Sequence, residues 1–274
     1  MTNLAALNNQ THRVLRIAAA RAVISHSNVN IVSVIPREFP RLLAHFPIFF
    51  SKSPDSGQFE PAALLGFERG ENLFLKDGAW DTAYIPLQLQ RQPFSLIPRS
   101  APAAGDNQPT LDLAIDLDSP HVQAQEGERL FQDDGKPTQF LQNISSIMSA
   151  LVSGSREAYA FTGKLAELNL IEPVQIDIEF VDRSQTKLQG LYWIAAPALK
   201  ALPASTLAEL RDREYLEWMY FQMASIAHVS NLVGRKNRRL AGVTPAAAVP
   251  SATAAPAAAP AAEPGAGAGD AVPG

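Results

Sequence analysis

The 274-residue chain contains no cysteine. That absence removes disulfides, thiolate nucleophiles and every cysteine-containing metal site, and it suits a reducing compartment. Long apolar runs are missing too: nowhere do about 18 apolar residues run without a charge, the usual minimum for a membrane-spanning helix. The opening residues, MTNLAALNNQTHRVLRIAAARAVISH, set Arg13, Arg16 and Arg21 among the apolar positions, so no secretory core follows a basic start. A soluble protein of the cytoplasm is expected. Strong charge of one sign is also lacking. With a formal net charge of -4 and a pI near 5.8, no field gathers phosphate backbones, and nucleic acid is not an expected partner.

Several reaction motifs are absent as well. GFERG (66–70) is followed by Glu71 and Asn72 and lacks the lysine of a phosphate-binding loop, which disfavours nucleotide hydrolysis. There is no Gly-x-Ser-x-Gly elbow and no His-Glu-x-x-His pair, so the commonest serine hydrolase and zinc protease patterns are excluded. Triads assembled from distant residues are not excluded by these absences.

What the chain does have is a large apolar fraction, 46%, enough for a sizeable core. Pro36, Pro40, Pro47, Pro54, Pro61, Pro86, Pro93 and Pro98 cut the first hundred residues into pieces too short for long helices. Between them NIVSVI (30–35), PIFFSK (47–52) and AALLGFE (62–68) read as strands. LDLAIDLD (111–118) alternates Leu111, Leu113, Ile115 and Leu117 with Asp112, Ala114, Asp116 and Asp118, the period of a half-buried strand. SAPAAGDNQPT (100–110), before it, reads as a loop. VQIDIEFVD (174–182) alternates in the same way, and LQGLYWIA (188–195) follows after RSQTK, which predicts a hairpin.

Helical spacing begins after Pro137, with Phe140, Ile144, Ile147, Met148 and Leu151 in register; Gly154 is expected to end or bend that helix, and a second helical stretch covers about 156–169. Thr206 and Glu209, three apart, form a capping-box pattern that predicts one long helix to about Leu232. It carries a stripe of Leu216, Met219, Met223, Ile226 and Val233, with Trp218, Phe221 and Leu232 off the stripe. Such coverage means burial between layers, the commoner outcome, or contact with another chain. GRKNRRL (234–240) then reads as a basic helix end favoured by the helix dipole, with attraction to an anionic surface as the sharper alternative.

Ala241 to Gly274 is an Ala/Pro/Gly-rich tail, expected to be a disordered spacer, since Pro removes helix donors and no large apolar residue is available for burial. Its only charges are Glu263 and Asp270, which leaves 23 basic and 25 acidic residues in the rest. The expected fold is α+β: one domain over 1–240, an antiparallel or mixed sheet with two main helices packed on it. Two subdomains split near 100–110 are the alternative.

For chemistry, Asp116, Asp118 and His121 offer oxygen and nitrogen near one another, but carboxylates alternating with leucines are more often a wetted strand face, so no metal is assigned. His45 would serve as a base if Glu38 oriented it, although such a histidine more often bonds a backbone carbonyl at a helix end. The richest stretch is GENLFLKDGAWDTAYIP (70–86). Asp77-Gly78 is a tight-hairpin signal, while Trp80 and Tyr84, four apart, and Asp81 place amphipathic rings beside a carboxylate. Rings of this kind line pockets and contact surfaces, and more often fill cores under loops. The candidate binding residues are His45, Glu71, Asn72, Trp80, Asp81 and Tyr84.

EFPRLLAHFPIFFSK, ALLGFERGENLFLKDGAWDTAYIP, RQPF, LFQDDGKPTQFLQ and the later LQGLYWI, in this order, closely resemble the bacterial SapC family, over most of residues 10 to 233. The family takes its name from a component associated with a paracrystalline surface layer and offers no catalytic residues to carry over. The resemblance implies a non-enzymatic accessory protein that binds a protein or peptide partner in building or exporting a cell-surface component, without cofactor. The alternative is a small-molecule- or peptide-modifying enzyme with a pocket around His45, Glu71, Asn72, Asp81 and Tyr84. A binding module that holds a substrate peptide in that pocket, without turnover, is a third reading.

Overall fold

The computed structural model describes residues 3–18, 29–54, 56–76, 79–99, 111–123, 125–242 and 251–254. The strands are β1 (Leu4–Ala6), β2 (Arg16–Ile17), β3 (Ile31–Ser33), β4 (Ile48–Lys52), β5 (Phe59–Leu64), β6 (Leu75–Lys76), β7 (Ala79–Trp80), β8 (Phe94–Pro98), β9 (Leu111–Asp116), β10 (Val122–Gln123), β11 (Glu128–Arg129), β12 (Ile171–Glu179), β13 (Gln185–Ile194) and β14 (Ser251–Ala254). The α-helices are α1 (Phe39–Leu42), α2 (Leu87–Gln90), α3 (Gln139–Glu167), α4 (Ala196–Lys200), α5 (Ala204–Asp212), α6 (Tyr215–Ser225) and α7 (His228–Ala241), with a 3-10 turn at Pro36–Glu38 ahead of α1.

The fold is α+β, and every pairing between the described strands is antiparallel. The main sheet runs β14-β12-β13-β4-β5-β3; two three-stranded sheets run β1-β9-β8 and β10-β2-β11, and β6-β7 is a separate hairpin. Ile48, Phe49 and Phe50 of β4 are consecutive and all fully buried, so this strand is covered on both faces. Burying each such side chain contributes roughly 1.5–3 kcal/mol. Helix α6 is fastened to the strand ends through a buried amide: Gln222 Nε2 donates to Ile48 O at 2.9 Å, and its Oε1 accepts from Ile194 N at 3.2 Å.

The core falls into two clusters joined by α3. Leu141, Ile144, Met148 and Leu151 pack with Phe94, Ile115, Leu130 and Phe131, whereas Phe161 and Leu165, further along the same helix, join the main-sheet cluster. The helix is capped by Thr138, whose side chain accepts from Leu141 N, one residue beyond Pro137. It does not stop at Gly154. A Cβ there would lie 2.5 Å from Ile35 Cδ1, so this glycine lets an unbroken helix pass close to the chain entering the 3-10 turn. The two expected helical stretches are one.

The expected helix from Thr206 to about Leu232 is the opposite case, three helices in place of one. Its start is Ala204 after Pro203, which has no side-chain acceptor to cap it, so Thr206 lies within the first turn and Glu209 pairs with Lys164 at 3.4 Å. Glu214 sits in the left-handed region at φ 64° and redirects the chain into α6. Trp218 and Leu232, off the predicted stripe, are buried at 8% and 0% exposure, so both sides are covered; Tyr220, 55% exposed, is the ring that faces out.

The strands at 30–35, 47–52, 62–68, 111–118 and the 174–195 hairpin all appear, shifted by a few residues at their ends. The 100–110 loop, the Asp77-Gly78 turn and the tail at 243–250 and 255–274 lie outside the described residues. Within the tail, the backbone of Ser251–Ala254 pairs with Val174–Asp177 at the edge of the main sheet.

Candidate functional site

The stretch 66–86 is built as a folded platform. Gly66 admits no side chain, since a Cβ would sit 2.3 Å from Glu71 O. Glu71 closes this loop, its Oε2 accepting from Phe67 N at 2.9 Å. Its Oε1 and Glu68 Oε1 each accept from Lys236 Nζ at 2.7 Å. Burial pulls the Lys236 ammonium down, but its hydrogen bonds to Glu68 and Glu71 outweigh that and hold it above the ordinary lysine value. Asn72 Oδ1 accepts from Phe74 N at 3.0 Å, while its carbonyl accepts from Arg239 Nη2 at 2.7 Å.

Further along, Trp80 is 7% exposed and stacks on Phe74 with ring centroids 6.1 Å apart. Its Nε1 donates to Tyr84 O at 2.9 Å, which sets the turn after β7. Asp81 Oδ2 accepts from Arg235 Nη1 at 2.8 Å, and the Arg235 guanidinium lies 4.6 Å from the centre of the Phe74 ring. Tyr84 donates its hydroxyl to Glu38 Oε1 at 2.8 Å. Burial and the facing carboxylate push the Tyr84 phenol well above its usual range.

Three of the cations in GRKNRRL therefore grip this platform. Arg235, Lys236 and Arg239 hold Asp81, Glu68, Glu71 and the carbonyls of Asn72 and Leu75. They are neither a solvated junction nor a free basic patch, and this corrects the sequence-based expectation. Asn237, between them, accepts from Val181 N at 2.9 Å and joins α7 to the β12–β13 hairpin.

Glu38 does not orient His45. It is 2% exposed, with Oε2 accepting from Ile35 N at 3.0 Å and Oε1 from Leu87 N at 2.8 Å as well as from Tyr84. Desolvation raises its carboxyl above the ordinary glutamate value, opposed by those hydrogen bonds. No described residue hydrogen-bonds the His45 ring; burial, with His228 and Arg235 nearby, lowers its imidazole value. His228 Nε2 lies 2.6 Å from Leu43 O and must donate to it, so Nδ1 accepts from Asn231 Nδ2 at 2.9 Å. Asp116, for its part, accepts from Asn3 N and Asp118 N. Among the described residues no group of three or more His, Asp or Glu is placed to hold a metal ion.

The six candidates are thus divided. Glu71 and Asn72 meet Lys236 and Arg239, Asp81 meets Arg235 near His45, Tyr84 meets Glu38, and Trp80 lies in the core. None of them lines the three clefts described here. Two of those clefts flank α3. One, of about 230 Å³, lies against Ser155, Ala158 and Tyr159 and is closed by Ile35, Phe59 and Pro61. The other, of about 480 Å³, is lined by Arg37, Arg156, Glu157, Arg213, Glu214, Tyr215 and Trp218, with Ala160. Sequence reading passed over these arginines. The signal was present: Arg37-Glu38, Arg156-Glu157 and Arg213-Glu214 are the chain's three Arg-Glu pairs, each closely followed by an aromatic residue.

The architecture is that of an antiparallel α+β protein whose C-terminal helix clamps a Gly-Glu-Asn loop through buried charge. The chain belongs to the SapC family, whose model matches residues 7–232. No curated protein and no solved structure matches it.

Proposed function

We propose that this protein is a non-enzymatic accessory protein of the bacterial cytoplasm that binds a protein or peptide partner in the assembly or export of a cell-surface component. Membership of the SapC family supports the link to the surface. The observation that carries partner binding is the surface of α3 at residues 155–160. Tyr159 stands 59% exposed there on the wall of the cleft of about 230 Å³, its hydroxyl held by Gln58 Nε2 at 3.0 Å. A large, pre-positioned amphipathic ring beside concave surface is what contact sites use. The carboxylates and amide of the 70–86 stretch, by contrast, are engaged in holding the fold. Nucleic acid is not the partner, given a net charge of -4. No described helix is long and apolar enough to cross a membrane.

The test is site-specific photo-crosslinking in cells. A photoreactive residue in place of Tyr159 is expected to capture one reproducible partner, and the same residue in place of Tyr220, on α6, is not. Failure to recover a reproducible adduct at 159 removes this reading.

A further inference from the structure

The cleft of about 480 Å³ brings together all three Arg-Glu pairs of the chain through Arg37, Arg156 and Arg213, carried by the 3-10 turn, by α3 and by the turn between α5 and α6. An acidic protein has placed three guanidinium groups from three separated segments around one hollow. Arg37 is already holding a carboxylate: its Nε donates to Glu157 Oε2 at 2.8 Å and its Nη2 to Glu157 Oε1, the forked geometry in which arginine binds carboxylates. The other two have capacity left. Arg156 forms no ion pair with any described residue. Arg213 faces Glu209 at 3.4 Å, with both side chains largely in solvent, a pair of little worth. The floor is rigid, because Tyr215 and Trp218 pack edge-on against Phe161 with centroids 5.2 and 5.3 Å away.

Resting on the partner-binding reading, we propose that this cleft receives an acidic peptide segment of the partner. Its carboxylates would pair with Arg156 and Arg213 while an apolar neighbour lies on the Tyr215–Trp218 floor. The hollow is open along one side of α3, a shape suited to side chains of an extended segment. Glu157 and Glu214 interrupt the basic lining and Arg37 is already paired with Glu157, so the cleft offers separate carboxylate sites at Arg156 and Arg213 and no continuous basic track for a phosphate chain.

The probe is a fluorescein-labelled peptide alternating Glu with Phe and Leu, titrated with the full chain and followed by anisotropy, beside its Gln counterpart and a single-stranded oligonucleotide. Binding of the acidic peptide alone is expected. Arg156→Glu with Arg213→Glu should weaken it by about tenfold or more, as loss of charge-assisted bonds does, and raised salt should weaken it too. Arg238→Glu, on the exposed side of α7, should leave it unchanged. The proposal is overturned if the acidic peptide shows no binding at about 1 mM, a limit set by free energies near 4 kcal/mol. Equal binding of the Gln peptide or the oligonucleotide, or indifference to the double substitution, overturns it equally. Crosslinking at position 159 separates the two readings: a partner captured equally by the double variant leaves partner binding standing and the acidic-peptide assignment lost. An acidic peptide that binds the cleft while position 159 captures nothing has the reverse meaning.

Discussion

Lys236 Nζ and Glu71 Oε1 lie 2.7 Å apart although 165 residues separate them in the chain. With Glu68 on the other side, this contact ties the last helix to the loop at 66–71, and the Lys236 side chain is only 10% exposed. Lys236→Met removes the cation and leaves Glu71, itself 13% exposed, facing a second carboxylate. A loss of about 3 kcal/mol is expected, read by urea unfolding, since breaking one side of a buried pair strands the other. Arg238→Met, on the exposed side of the same helix, should fall within about 0.5 kcal/mol of the parent.

Two glycines of α3 should respond with opposite sign. Gly154→Ala drives a methyl group into Ile35 and is expected to destabilise by about 1–3 kcal/mol. Gly163→Ala has no atom within 4 Å to meet and should stabilise by about 1 kcal/mol through helix propensity. Thermal and urea denaturation of both variants decide this.

Glu38 carries a pH dependence whose sign follows from its raised carboxyl value. The folded form retains the proton longer than the unfolded form, so its contribution to stability is fully present below the ordinary glutamate value and is lost as pH rises through the folded value. Glu38→Gln removes that titration. It also sets an amide donor against Ile35 N or Leu87 N and should cost about 1–3 kcal/mol. The stability difference between parent and variant should be largest at acid pH and shrink above the glutamate range. A difference that grows with pH refutes this assignment.

Trp80 and Tyr159 should separate core from surface. Trp80→Ala is expected to cost about 3–5 kcal/mol, as a ring packed against Phe46 and Phe74. Tyr159→Ala removes a single surface hydrogen bond and should cost under about 1 kcal/mol while abolishing partner crosslinks from neighbouring positions. Unfolding curves and crosslinking from position 155 report the two effects.

Period-two alternation marked β9 and β12 in the sequence; in β12 the buried Val174, Ile176 and Ile178 form the face that fixes the pattern, whereas in β9 Ala114 and Ile115 are both buried and Leu111 is exposed. The helical spacing of Phe140 to Leu151 was legible for the same reason. Gly154 misled, since its role is set by Ile35, more than a hundred positions earlier, and no local rule contains that neighbour. Thr206 and Glu209 had the spacing of a capping box, yet the helix starts at Ala204 after Pro203, so Thr206 falls inside its first turn. For the site, the sequence singled out the 70–86 stretch without its partners, which stand on α7 for Glu71, Asn72 and Asp81 and at Glu38 for Tyr84, and it passed over Arg37, Arg156 and Arg213.

By itself the sequence determined the α+β class, the absence of cysteine chemistry and membership of the family, all of which follow from composition, periodicity and contiguous motifs; that every described strand pairing is antiparallel came from the structure. Only the tertiary structure decided which charges are buried in fastening the fold and which stay exposed. A lysine and an arginine look alike along a chain; burial beside two carboxylates, or exposure at the rim of a hollow, is a property of where distant segments meet.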